Sequence, residues 1–95
     1  MGRGFGKMKV MRKAEKVLKA FANRRRLAIV KYLKEDEATV GEIAGEISLS
    51  FKSTSRHLAV LQAADILERE QRGLQAYYRL APPQDFVVRA IINSL

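Results

Sequence analysis

The chain has 95 residues, a hydrophobic fraction of 47%, a net charge of +8 and no Cys. This length predicts one domain with a small core, and the absence of Cys excludes disulfides, thiolate metal sites and thiol redox switching. No apolar run reaches the ~18 residues of a membrane span, and the N-terminus lacks the apolar stretch of a signal peptide. We therefore expect a cytoplasmic protein with no membrane partner, and the basic balance predicts a polyanionic one.

The positive charge is concentrated at the N-terminal end. Residues 1–26 hold ten Lys or Arg against one acid, whereas residues 27–95 hold eight against nine. Three glycines in residues 1–8 predict a flexible basic arm before a single domain at 9–95. The alternative for the arm is a solvated tail that serves solubility. Contacts with the phosphate backbone are expected from Arg3, Lys7, Arg24 and Arg25.

Helical periodicity dominates the first half of the chain. Apolar residues three and four positions apart predict a first helix over 9–22. Asn23 is a predicted N-cap for a second helix over 24–34, and Thr39 with Glu42 predicts a capping box that opens a third. The expected apolar positions are Met11, Ala14, Val17, Leu18 and Phe21 in the first helix, Leu27, Ile29, Val30 and Leu33 in the second, and Val40, Ile43, Ala44 and Ile47 in the third.

The second half changes period. A fourth helix is predicted over 51–64, with Thr54, Leu58 and Leu61 buried. Two strands, 67–72 and 75–80, then alternate with period two around Gly73 and predict a β-hairpin. A last helix is predicted over 83–94, beginning at Pro83, which suits a first helical turn. Its expected apolar stripe is Phe86, Val87, Ala90 and Ile91, with Val88, Ile92 and Leu95 alongside.

This order predicts a winged helix-turn-helix, a mainly α-helical domain with one small β-hairpin. Four helices precede the two strands and a fifth follows. In such folds the second helix of the helix-turn-helix, here 51–64, places its N-terminal end against base edges in the major groove of DNA. The residues predicted to read DNA from this helix are Lys52, Ser53, Ser55, Arg56 and His57.

Each of these assignments has a plainer alternative. Lys52 and Arg56 also suit a solvated helix face, and Ser53 also suits the capped first turn. His57, the only His, also suits a structural hydrogen bond or pH sensing. In the predicted wing, DNA contacts are expected from Arg69, Gln71 and Arg72, and the alternative is an ordinary polar hairpin.

The terminal helices carry more apolar residues than a small core needs. This surplus predicts a homodimer interface, and the alternative is that both helices fold back as the core of a monomer. The predicted interface residues are Met8, Met11, Val17, Val88, Ile91, Ile92 and Leu95.

Three segments together resemble the ArsR-type (arsenic-repressor) family of winged-helix regulators. Residues 18–29, Leu-Lys-Ala-Phe-Ala-Asn-Arg-Arg-Arg-Leu-Ala-Ile, are similar to the family's Leu-Lys-Ala-Leu-Ala-Asp-Pro-Thr-Arg-Leu-x-Ile. Residues 55–61 match its Ser-Arg-His-Leu-x-x-Leu, and residues 77–80 its Tyr-Tyr-x-Leu. The resemblance covers residues 14–80 and implies a DNA-binding regulator that dimerises through its terminal helices.

The chain departs from the family where metal-sensing members bind their ion. Those members carry Glu-Leu-Cys-Val-Cys-Asp-Leu on the third helix, but residues 37–43 here place Thr39 and Gly41 at the Cys positions. The family's other site uses Asp and His pairs on the last helix, which here offers Asp85 and no His. We therefore expect no metal ion and no other cofactor.

The sequence as a whole predicts a homodimeric repressor that binds an inverted repeat in double-stranded DNA. It indicates no enzyme, because the lone His has no Cys nucleophile, no carboxylate pair on a shared face and no Gly-rich phosphate loop beside it. One alternative is a nonspecific architectural DNA-binding protein that uses the basic arm, and another is a winged-helix protein-interaction module. The sequence identifies neither an effector nor the operator.

Overall fold

The computed structural model describes residues 2–82 and 85–95, with the backbone alone for residues 2–5. The described chain has the predicted order of helices, together with a sheet of three strands instead of two. The elements are α1 (Gly2–Phe21), α2 (Arg24–Leu33), β1 (Ala38–Thr39), α3 (Val40–Ile47), α4 (Phe51–Ala63), β2 (Leu67–Arg72), β3 (Gln75–Leu80) and α5 (Phe86–Asn93).

Side-chain caps define the starts of the middle helices. The Asn23 side chain accepts a hydrogen bond from the backbone N of Arg26 at 3.1 Å. Thr39 and Glu42 form the predicted capping box, and the Ser50 side chain caps α4. These caps satisfy backbone N–H groups that a helix leaves free, so the predicted starts of α2, α3 and α4 hold to within one residue.

The sheet is antiparallel, in the order β1-β3-β2. β2 and β3 form the predicted hairpin, with Leu67 opposite Leu80 and Arg72 opposite Gln75. β1 was not predicted. It forms two pairs with β3, Ala38 with Tyr78 and Thr39 with Tyr77. Two residues are too few for alternation to be recognised in the sequence.

One core joins the helices to the sheet. Its buried side chains include most of the predicted residues of α2, α3 and α4, together with Ile66, Leu67 and Tyr78. Three predicted residues, Leu27, Val40 and Ile47, are only partly buried and pack against this core. The two adjacent tyrosines of β3 differ in burial, because Tyr78 belongs to the core and Tyr77 is only half-buried.

α1 differs from its prediction in length and in buried face. It begins at Gly2 and not at residue 9, so residues 2–8 continue the helix instead of preceding it. Glycine has low helix propensity, but the straight-chain residues after Gly6 favour helix and outweigh it. Val17, Ala20 and Phe21 are buried, whereas the predicted core positions Met11, Ala14 and Leu18 are exposed.

α5 begins at Phe86, three residues later than predicted, with Asp85 as its N-cap. Pro83, the predicted first residue, lies outside the described residues. The predicted apolar stripe was wrong, because Val88 and Ile92 face the core while Phe86 and Val87 are exposed. Apolar side chains of α5 occur on more than one face of the helix, so their spacing alone did not identify the buried face. None of the helices described is long and apolar enough to cross a membrane.

Candidate nucleic-acid interface

The turn between α3 and α4 sets the direction of the recognition helix, α4. Ser48 ends α3 in the left-handed region, with φ of 54°. The backbone N of Leu49 then donates to the carbonyl of Ala44 at 3.0 Å, which closes the end of α3. Ser50 follows in extended conformation and caps α4. The first turn of α4 therefore emerges at the surface with a capped N-terminus.

α4 separates core residues from polar ones along its length. Thr54, Leu58 and Leu61 are buried, as predicted. Lys52 and Arg56 are exposed one helical turn apart, and the predicted DNA-reading residues Ser53 and Ser55 are half-buried in the same two turns. The N-terminal end of α4 thus presents two cations and two hydroxyls.

A cleft of about 500 Å³ lies between this end of α4 and the wing. Phe51 and Ser55 line it from α4, and Arg69 and Gln71 line it from β2. The remaining lining residues are Thr39, Val40, Gly41, Leu74, Gln75, Ala76 and Tyr78. The cleft brings the recognition helix and one face of the wing to a common surface.

Hydrogen bonds hold the wing residues of this cleft in place. Arg69 Nη2 donates to Gln71 Oε1 at 2.7 Å, and Gln71 Nε2 donates to the carbonyl of Gly73 at 3.0 Å. Gly73 has φ of +60°, a backbone conformation that residues with a side chain rarely adopt, so the glycine permits the tight turn at the tip of the wing. The position of the Arg69 side chain is therefore fixed through Gln71, which is itself bound to the backbone of the turn.

Arg72 does not share this surface. Side chains alternate along a strand, so Arg72 faces away from Arg69 and Gln71. It donates to Glu37 at 2.6 and 2.8 Å and to Glu70 at 2.9 Å, and its guanidinium lies 4.4 Å from the ring centroid of Tyr77. The alternation and the nearby carboxylates thus separate Arg72 from Arg69 and Gln71, and its expected contact with DNA stays a prediction.

The outer face of the sheet carries an ion-pair network around Glu70. Arg79 donates to Glu68 at 2.8 Å and to Glu70 at 2.7 Å. Hydrogen bonds from Arg72 and then Arg79 lower the pKa of Glu70 to about 2, and the hydrogen bond from Arg72 lowers the pKa of Glu37. Carboxylates thus neutralise the positive charge of Arg72 and Arg79.

His57 points to Arg26, whose guanidinium also closes the end of α1. Arg26 Nε donates to the carbonyl of Ala20 at 2.7 Å and Nη2 to that of Lys19 at 3.2 Å, so Arg26 caps the C-terminal end of α1. Arg26 Nη1 lies 3.2 Å from His57 Nδ1. A guanidinium only donates, so Nδ1 accepts and the ring proton lies on Nε2. Burial, then the charges of Arg26 and Arg25, lower the pKa of His57.

Three of the basic residues predicted to contact the DNA backbone, Lys7, Arg24 and Arg25, do not line this cleft. Lys7 is exposed on α1, and the side chain of Arg3 lies outside the described residues. Arg24 and Arg25 are exposed at the start of α2 and border a groove of about 580 Å³ that also includes Tyr32. Arg25 lies close enough to α4 for its charge to act on His57, but neither arginine lines the cleft between α4 and the wing.

The terminal helices expose a different apolar set from the predicted one. Met8 and Met11 are 57% and 53% exposed, but Val17, Val88 and Ile92 belong to the chain's own core and Ile91 and Leu95 pack against it. These core positions correct the prediction of a continuous interface set. The exposed large apolar residues of these helices that lie outside the predicted interface set are Val10, Leu18, Phe86 and Val87.

Two comparisons of sequence decide the family. Residues 23–69 match the model of the bacterial regulatory proteins of the arsR family. The chain is also 35% identical over 83 residues to the transcriptional activator HlyU of Vibrio cholerae, covering 87% of this chain and 74% of HlyU. The chain belongs to the ArsR family. The resemblance in the sequence is thereby confirmed, and this ArsR-family protein is a DNA-binding transcriptional regulator.

Other relatives and solved structures agree with this assignment. The repressor SmtB of Mycobacterium tuberculosis is 35% identical over 68 residues, which is 72% of this chain but half of SmtB. Reduced HlyU from Vibrio cholerae superposes with a TM-score of 0.78 at 33% identity, covering 95% of this chain and 92% of that one. The homodimeric winged helix-turn-helix DNA-binding domain of Mb0332 from Mycobacterium bovis gives 0.86 at 29% identity, covering 98% and 84%. The winged-helix fold is thus confirmed.

Proposed function

We propose that this ArsR-family chain is a homodimeric repressor that binds an inverted repeat through the start of α4 and the wing. The observation that carries the proposal is the cleft where Ser55 of α4 meets Arg69 and Gln71 of β2. Lys52 and Arg56 lie exposed beside it. Arg and Lys recognise guanine edges in the major groove and also contact phosphates, so this surface suits both readout and backbone contact.

Dimerisation follows from the apolar surface left on the terminal helices. Met8, Met11, Phe86 and Val87 are each at least 46% exposed in the single chain. The similar domain of Mb0332 is described as homodimeric. A two-fold dimer places two recognition helices on half-sites about one helical turn apart, ~34 Å from centre to centre.

Repression by occlusion of polymerase requires only occupancy of the operator. The relatives include proteins named as repressors, SmtB and SdpR, and one named as an activator, HlyU. We place the protein in the cytoplasm, bound to the nucleoid. All these relatives are named as regulators, and we infer no enzymatic activity.

We further infer that this regulator does not respond to metal ions. At the position of the family's Cys pair, Thr39 uses its hydroxyl and its backbone N in the capping box with Glu42, and Gly41 has no side chain. Neither residue offers a thiolate.

The basic surface of α1 favours a second candidate, nonspecific architectural binding. Beyond its first turn, this helix carries six exposed basic residues: Lys7, Lys9, Arg12, Lys13, Lys16 and Lys19. Contacts between these cations and phosphates would supply affinity without sequence preference.

Selection from a random double-stranded DNA library at about physiological salt separates the two candidates. The repressor proposal requires an enriched inverted repeat, and tight binding without an enriched motif contradicts it. Arg56→Gln serves as the test variant, and Arg89→Gln, an exposed arginine on α5, serves as its matched control. We expect loss of enrichment at one position of each half-site for Arg56→Gln and the unchanged motif for Arg89→Gln.

A further inference from the structure

Two large apolar side chains stand exposed at the edges of the cleft between α4 and the wing. Phe51 is 64% exposed, and Leu74 at the tip of the wing is fully exposed. Fully burying such a side chain is worth ~1.5–3 kcal/mol in transfer free energy. Exposed apolar side chains grouped at a cleft that also carries polar residues are typical of an interaction site.

The fold does not require Phe51 to be apolar. It is the first residue of α4, directly after the N-cap Ser50, and the core face of α4 is formed by other residues. Ser55 lies one turn further along and lines the same cleft. The ring thus lies at the end of α4 that enters the major groove in helix-turn-helix proteins.

The charges around Phe51 identify the kind of partner. Lys52 follows it on α4, and Arg69 lines the same cleft. A polyanion suits these cations, and in the major groove of DNA the apolar group that base edges offer is the 5-methyl group of thymine. Phosphates present polar oxygens, and the other bases lack a methyl group in the major groove, so both offer the ring less apolar contact than thymine does.

We propose that Phe51 is a specificity-determining residue whose ring packs against the 5-methyl group of a thymine in each half-site. This inference rests on the proposed function, because it needs a specific complex with α4 in the major groove. Lys52 and Arg56 supply polar recognition, and Phe51 selects thymine over cytosine at one position through its methyl group.

The test replaces single thymines by deoxyuridine, which removes only the methyl group. Duplexes carry the selected inverted repeat, with one symmetric pair of thymines replaced at a time, and binding is measured by fluorescence anisotropy at fixed salt. One methyl is worth ~0.8 kcal/mol, so the wild type should bind about fourfold more weakly for each half-site altered. Phe51→Ala should bind the thymine duplex more weakly and show no difference between thymine and deoxyuridine at that position.

Leu74→Ala is the matched control, since Leu74 is the other exposed apolar side chain of the cleft but lies on the wing. It should keep the wild-type response to deoxyuridine. Phe51→Ala should also keep the salt dependence of binding, because no charge is removed. The proposal is overturned if no thymine in the half-site is sensitive in the wild type, or if Phe51→Ala keeps the sensitivity. A selection without any motif overturns the proposed function itself, which is a different result.

Discussion

Arg26 on α2 joins the end of α1 to the recognition helix through His57. Its guanidinium donates to two carbonyls of the last turn of α1 and lies 3.2 Å from His57 Nδ1. One side chain therefore links the helix expected at the dimer interface to the helix expected in the major groove. The contact also orients the His57 ring, so that Nε2–H is the ring donor available for the DNA contact that we propose.

Replacing Arg26 by Gln should destabilise the fold. The substitution removes charged donors from the Ala20 and Lys19 carbonyls, and hydrogen bonds from charged groups contribute about 1.5–3 kcal/mol each in favourable settings. Because the site is only part-buried, we expect a loss of about 1–2 kcal/mol in unfolding free energy. Urea denaturation measures it. Arg24→Gln, an exposed neighbour on the same helix, should change stability little, and an equal loss in both variants would contradict the capping role.

The titration of His57 should appear in the pH dependence of stability. Burial and the charges of Arg26 and Arg25 lower its pKa from 6.5, so the folded protein favours the neutral ring and the unfolded chain binds the proton more readily. The stabilising contribution is therefore fully present above pH 6.5 and decreases as pH falls through the lowered pKa. Thermal denaturation between pH 7.5 and 5 should show this loss in the wild type and a smaller one in His57→Gln. Identical pH profiles would contradict it.

The order of elements and the caps followed from the sequence because they depend on local signals. Asn23, Thr39 with Glu42, and Ser50 each satisfy nearby backbone N–H groups, so their patterns identify the helix starts. The hairpin followed likewise from alternation around Gly73. By contrast, β1 depends on pairing with a strand far along the chain, and the buried faces of α1 and α5 depend on neighbours that periodicity does not identify.

The sequence predicted which residues form the candidate site, but it did not predict which side chains those residues contact. Lys52 and Arg56 are exposed at the start of α4, as their spacing indicated. The pairing of Arg72 with Glu37 spans 35 positions and the contact of His57 with Arg26 spans 31, and neither leaves a local signal. The exposure of the Phe51 ring also leaves no local signal, since it depends on how the chain folds around the start of α4.

The two arginines of β2 should differ in their effect on DNA binding. Arg69 lines the cleft beside α4, whereas carboxylates already neutralise Arg72. Arg69→Gln should weaken binding to the selected operator about tenfold and reduce the salt slope by about one. Arg72→Gln should change both much less. Anisotropy titrations over a range of salt concentrations distinguish them, and the reverse order would contradict the assignment of the wing faces.

Thr54 offers a test of core packing under the recognition helix. Its side chain is fully buried, and Oγ1 has no hydrogen-bond partner among the described residues. A buried hydroxyl without a partner costs about 1–3 kcal/mol in desolvation, and Val has nearly the same shape. Thr54→Val should therefore raise the unfolding free energy by about 1 kcal/mol. Thr54→Ala, which also removes a packed methyl group, should gain less or lose stability, and a loss in Thr54→Val would indicate an unseen partner for the hydroxyl.

The dimer interface is tested most directly at Met11, which is exposed on α1 and contributes nothing to the buried core. A charge placed in an apolar interface is left desolvated without a partner, so Met11→Glu should shift the protein from dimer to monomer. Analytical ultracentrifugation at micromolar concentration measures the shift, and circular dichroism should show unchanged helix content. Leu74→Glu, on the distant wing, introduces the same charge and should stay dimeric.

Since two half-sites are read together, the Met11→Glu monomer should also lose most of its affinity for the inverted repeat while keeping weak binding to a single half-site. A Met11→Glu protein that remains dimeric would place the interface elsewhere than α1.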